Sequence, residues 1–105
     1  MTSQTSPASC QTLEQVRAGI DAVDERIVSL IAERGRFVRQ AARFKKDAQA
    51  VRAPNRYAAL LARVRRLAEQ QAIDPDLIES VYRTMVDAFI AAELREHAQH
   101  VESRP

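Results

Sequence analysis

The chain has 105 residues, of which 46% are hydrophobic and 29% charged, with a formal net charge of +2 and only two glycines and four prolines. That length and balance fit one globular domain and exclude a collagen-like or low-complexity chain. The basic excess is too small to argue for nucleic acid without a clustered patch or a reading motif, and no window approaches the length of a membrane span.

In chain order, the segment MTSQTSPASCQ is polar and is expected to be a disordered tail over residues 1–11. It has neither a basic start nor an apolar run, so it does not read as a signal peptide. Cys10 is the single cysteine, which rules out an internal disulfide. A cytoplasmic protein is the simplest reading. Thr12 can cap a helix, with Gln15 at capping-box spacing. Leu13, Val16, Ile20, Val23, Ile27 and Leu30 then recur at steps of three and four, and the rhythm continues through Phe37, Ala41 and Phe44. Gly19 and Gly35 interrupt the stripe, each costing about 1 kcal/mol relative to alanine. One helix over about 12 to 47 is expected.

AQAVRAPN reads as a loop, because Pro54 disfavours the helical region for Ala53. A second helix should start at Pro54 or Asn55 and end near Gln71, with the face Tyr57, Leu60, Leu61, Val64, Leu67 and Ala68. Asp74-Pro75 is a strong start signal for a third. Its face is Ile78, Tyr82, Met85, Val86, Phe89 and Ala92, and it should fray by His97. The predicted fold is an all-α, three-helix domain over residues 12–99, with a disordered tail over 100–105.

A helix of about 35 residues is roughly 50 Å long, whereas a compact 100-residue domain has a radius of gyration of about 13 Å. The first helix should protrude beyond what the other two can cover, yet its stripe stays apolar. A second copy of the chain is the economical cover, giving a homodimer. The alternative is a kink at Gly35 that folds the helix back into a monomeric bundle.

Three charges break the apolar pattern. Steps of seven from Leu13 pass through Ile20 and Ile27 and reach Arg34, where a hydrophobe belongs. Lys45, eleven residues on, falls within roughly 20° of the same face if the helix persists. In the third helix, Tyr82, Val86 and Phe89 lead to Glu93. An unpaired buried charge is costly, so each needs an opposite partner. Arg34 could instead snorkel to water, and a cation near a helix end is favoured in any case. Spacing leaves a structural ion pair and an anion-binding site equally open.

LEQVRAGIDAVDERIVSLIAERGRFVRQAARFKK, followed by APNR and DLIESVYRTMVDAFIAAEL, resembles the all-helical chorismate mutase family over about residues 13–96. The R-x-x-I-D-x-x-D opening at Arg17–Asp24 and LIAER with the lysine of RFKK carry the likeness. RFKKDAQAVRAPNR is still more similar to the isochorismate pyruvate lyase branch, which produces salicylate. The resemblance implies an intertwined dimer of three-helix chains with two sites between the chains. Arg17, from the other chain, and Arg34 match the arginines that hold the substrate carboxylates. Lys45 matches the lysine on the ether oxygen and a carboxylate, Arg56 matches the arginine that completes the clamp, and Arg43 is expected at the rim. Glu93 matches a position that is glutamine in many members and glutamate in others.

On that resemblance the substrate is a compact dicarboxylate. Its rearrangement to prephenate needs no nucleophile, metal or cofactor. Fixed cations must hold the reactive conformer and stabilise charge growing on the ether oxygen. Lys45, Arg34 and Glu93 are the expected catalytic set. A carboxyl at 93 donates only when protonated, so an acid-side optimum that flattens in Glu93→Gln is expected. Tyr57 stands where many mutases have a glutamate for the substrate hydroxyl and the lyase branch has an apolar residue.

Chorismate mutase is the first reading and isochorismate pyruvate lyase the second, with an aminodeoxychorismate substrate also open. The lyase is favoured by the loop and Tyr57 and disfavoured by Glu93. A non-catalytic helical dimerisation module is the reading of another class. His97 and His100 lack a surrounding ligand set and read as exposed histidines rather than a metal site. Arg63, Arg65 and Arg66 read as the solvated face of the second helix.

Overall fold

The computed structural model describes residues 6–102, with side chains as far as Gln99. A 3-10 turn, Pro7–Ser9, precedes four α-helices: α1 Leu13–Ala42, α2 Ala48–Arg52, α3 Pro54–Gln70 and α4 Pro75–Glu102. The all-α class and the order of three long helices match the expectation. Residues 1–5 and 103–105, within the tails expected to be disordered, lie outside the described residues. α4 carries on to Glu102 instead of fraying by His97.

Local chemistry sets the helix starts. Thr12 Oγ1 accepts the Gln15 amide at 3.1 Å, and the Gln15 side chain accepts the Gln11 amide at 2.7 Å, one residue earlier than in the usual capping box. At α4, Asp74 Oδ1 accepts the Asp76 amide at 2.9 Å, ahead of Pro75 at the first position.

The first helix departs from expectation at its end. α1 runs as one helix through Gly35, but it stops at Ala42 rather than about residue 47. Arg43, Phe44 and Lys45 donate to the carbonyls three residues back, at 3.2, 3.0 and 3.1 Å, which tightens the last turn and satisfies its orphan acceptors. Asp47 then starts α2, its Oδ1 accepting the Ala50 amide at 2.8 Å. The AQAVR stretch expected as loop is therefore a short helix. Ala53 closes it in the left-handed region, φ 38°, outside the right-handed helical region that Pro54 disfavours.

α3 ends in a Schellman motif: the Ile73 amide reaches the Ala68 carbonyl at 3.0 Å and the Ala72 amide reaches Glu69 at 3.2 Å. The motif requires a left-handed residue, and Ala72 takes φ 57°. A side chain in that region costs roughly 1–2 kcal/mol. Ala72→Gly should stabilise the fold by about 1 kcal/mol, read as a rise in the urea midpoint with unchanged m.

The chain divides into two compact units, one up to Phe37 and one from Val38 onward. In the second, α3 and α4 pack around Leu60, Val64 and Val86, with Tyr57, Ile78, Tyr82 and Ile90 against them. A polar ladder lines the same pair of helices. Arg65 contacts Asp76 at 2.9 Å and Glu79 at 3.0 Å, and Arg83 contacts Glu79 at 2.8 Å. Arg65 thus departs from the plain solvated face expected of it. The Arg83 guanidinium, and then that of Arg65, hold the Glu79 carboxyl below its usual 4.5, so its contribution is present above that value and fades as pH falls through the lowered one. In the first unit no residue of α1 is buried, and its apolar stripe is open, with Leu13 61%, Ile20 54% and Ile27 46% exposed.

Candidate active site

Glu93 is the one buried charged side chain among the described residues, 9% exposed. α4 places it there by its own repeat, since Val86, Phe89 and Glu93 share a face at steps of three and four. Lys45 reaches it from the linker between α1 and α2, Nζ to Oε2 at 3.2 Å. The lysine is itself half-buried, so the pair is screened less than a surface ion pair. The ion pair that spacing left as one of two alternatives is therefore formed. The route to it differs from the expected one. Lys45 is not on α1, so it does not share a helical face with Arg34; the turn after Ala42 swings it toward α4.

The other sequence candidates are placed as follows. Arg17 is exposed in the early turns of α1, and Arg34 is half-buried farther along it. Arg56 is exposed in the first turn of α3, and Arg43 is exposed just past α1. The structure thus brings Lys45 and Glu93 together, while Arg17 and Arg56 present their charge to solvent. Among the described residues no group of His, Cys, Asp and Glu is arranged to hold a metal, and no helix is long and apolar enough to cross a membrane. The His100 side chain lies outside the described residues.

Tyr57, beside Arg56, has its ring on the α3–α4 core. Its hydroxyl donates to Asp87 Oδ1 at 2.6 Å and lies 3.3 Å from the Arg83 carbonyl. Burial first, and then the Asp87 carboxylate, push the phenol above its ordinary value, so it remains a protonated donor to α4. Asp87 was not legible as its partner: the two lie thirty residues apart, and no local pattern links them. A groove of about 650 Å³ opens beside this contact, lined by Arg52, Tyr57, Leu61, Asp87, Ile90 and Leu94 among others. Asp87, Ile90 and Leu94 form a separate stripe of α4, roughly 100° around the helix from that of Glu93, so the groove and the ion pair open on different faces.

Residues 16–94 match the family model for chorismate mutase type II. The chain belongs to that family. A curated relative, the isochorismate pyruvate lyase of Pseudomonas aeruginosa, is 32% identical over 90 residues, covering 86% of this chain and 89% of the relative. The chorismate mutase type II family thus spans both a mutase and a lyase, and all five candidate residues, Arg17 to Glu93, fall within the matched region. The resemblance drawn from the motifs is the family shown.

Proposed function

We propose that this chain is a lyase that splits isochorismate into salicylate and pyruvate, in a site completed by Arg17 of a second copy. The sequence alone ranks chorismate mutase first; two findings move the lyase ahead of it. One is the likeness to a protein named isochorismate pyruvate lyase across most of both chains. The other, which carries the reading structurally, is Tyr57. Its ring is on the α3–α4 core and its hydroxyl is committed to Asp87, so the position supplies no carboxylate of the kind an ordinary mutase would offer to the substrate hydroxyl.

The chemistry asks little of the protein beyond binding and charge. All atoms of isochorismate appear in its two products. The ether C–O bond breaks, a ring hydrogen moves to the enol methylene to give the methyl of pyruvate, and the ring becomes aromatic. No oxidant and no water enter. On this reading, which follows the family resemblance, Lys45 donates to the ether oxygen as charge develops there, while Arg34, Arg56 and the second copy's Arg17 hold the two carboxylates. Arg17 and Arg34 are seventeen residues apart on α1, about 25 Å, too far for one small ligand. The open stripe of α1 supplies the surface for a dimer.

Mutase action remains the second reading, favoured by the name of the family model. Incubating the purified protein separately with isochorismate and chorismate decides between them: salicylate plus pyruvate is expected from the first, and prephenate as the main product would reverse the order. If neither turned over and Arg34→Ala raised stability, the protein would be a non-catalytic dimerisation module.

A further inference from the structure

Along the seam between α3 and α4, the polar ladder holds one end and the groove of about 650 Å³ opens toward the other. The contacts Arg65–Glu79 and Tyr57–Asp87 run in opposite senses along the two helices, so α3 and α4 are antiparallel. That register puts Arg52 and Leu94 at one end of the groove and Leu61 and Arg83 at the other. The lining between the two arginines is largely apolar. Leu61 is buried, Ile90 and Leu94 are half-buried, and Ala58 and Ala91 are too small to fill the seam. The groove is separate from the site around Glu93. On α3, Ala58 lies about 160° around the helix from Arg56, and on α4 the groove stripe is roughly 100° from that of Glu93.

The polar groups at its rim differ in what they have left to give. Asp87 accepts the Tyr57 hydroxyl, and Arg83 is bound to Glu79 through Nε at 2.8 Å. Arg52 is exposed at the mouth, and among the described residues no hydrogen bond or ion pair engages its guanidinium. The groove therefore has an apolar floor and one uncommitted cation at one end. Its volume falls within the range of small-molecule sites, roughly 300–1,000 Å³. It is elongated, spanning about 10 Å of α3 from Pro54 to Leu61 and about 16 Å of α4 from Arg83 to Leu94. We propose that this groove is a second ligand site, for an elongated monocarboxylate whose apolar chain lies on Leu61, Ile90 and Leu94 and whose carboxylate is held by Arg52. A guanidinium meets a carboxylate with two parallel N–H donors, which fixes the end of the chain. A ligand cation is disfavoured, since the one carboxylate of the lining already accepts a hydrogen bond and shares the groove with two arginines. The site does not depend on the reaction proposed above.

The probe is octanoate, below its micelle concentration, with octanol as its uncharged counterpart. Backbone amide shifts of the isotope-labelled full-length protein locate the binding. Octanoate should give saturable shifts at Arg52, Ala58, Ile90 and Leu94. Replacing it with octanol, or Arg52 with glutamine, should each weaken binding by about three- to fivefold, the scale of an exposed ion pair. Ala91→Leu fills the seam from an exposed position and should remove the binding. Ala58→Leu fills it from the other helix should Ala91→Leu fail to fold. Shifts confined to α1 or to the neighbourhood of Lys45, equal affinity for octanol, or binding that survives the filled groove overturns the proposal. So does movement of the groove amides on simple dilution of the ligand-free protein, which would make a second copy the occupant.

Discussion

Lys45→Met should lower kcat/KM by roughly 10²–10³, the loss typical of removing one preorganised donor from a developing oxyanion. The same substitution should destabilise the fold. It leaves Glu93, 9% exposed, with a carboxylate that has lost its ion-pair partner. A buried acceptor stripped of its partner costs about 1–3 kcal/mol, and the half-buried position of Lys45 argues for the lower part of that range. The two effects separate in a double variant. Adding Glu93→Gln to Lys45→Met removes the stranded charge and should restore most of the stability, with no recovery of activity. Urea unfolding and steady-state rates on the wild type and the two variants measure both. Recovery of activity together with stability would mean that Lys45 acts only through the fold.

Arg17→Ala should be nearly as damaging to activity, by at least 10²-fold, and harmless to the fold. Arg17 is exposed on a helix none of whose residues is buried, so its truncation removes no packing. Alanine is also the better helix former. A variant that keeps its thermal midpoint and loses turnover is hard to explain from within one chain, given the 25 Å or so between Arg17 and Arg34. An arginine lent to a second copy's carboxylate clamp accounts for it. Unchanged turnover in Arg17→Ala would leave the site with cations from one chain alone.

The helices were legible where pattern and capping agree. Thr12 with Gln15, and Asp74 with Pro75, announced two of the three long helices within a residue of their observed starts. The end of the first helix was not, because nothing in RQAARFKK weakens a helix; what stops it is the competing cap at Asp47. Because α1 ends before Lys45, that residue shares no helical face with Arg34, and it meets Glu93 from the linker instead. Its partner was legible: Glu93 breaks the apolar stripe of α4, and a buried carboxylate must find a cation. Contacts across the chain had no local signal. Tyr57 with Asp87, and Arg65 with Asp76 and Glu79, arise only once α3 and α4 are laid side by side. The left-handed alanines were equally hidden, since glycine is the residue such positions advertise.

The account rests on a site that draws its cations from two chains, and subunit mixing tests this directly. Arg17→Ala and Lys45→Met should each be inactive alone. Unfolded together and refolded at equal amounts, they assemble at random, half of the dimers being mixed. In a mixed dimer one site collects both substitutions and the other neither. Activity should therefore return to about a quarter of the wild-type value. A mixture as inactive as its components would contradict the account, because it would place Arg17 and Lys45 in the same chain's site.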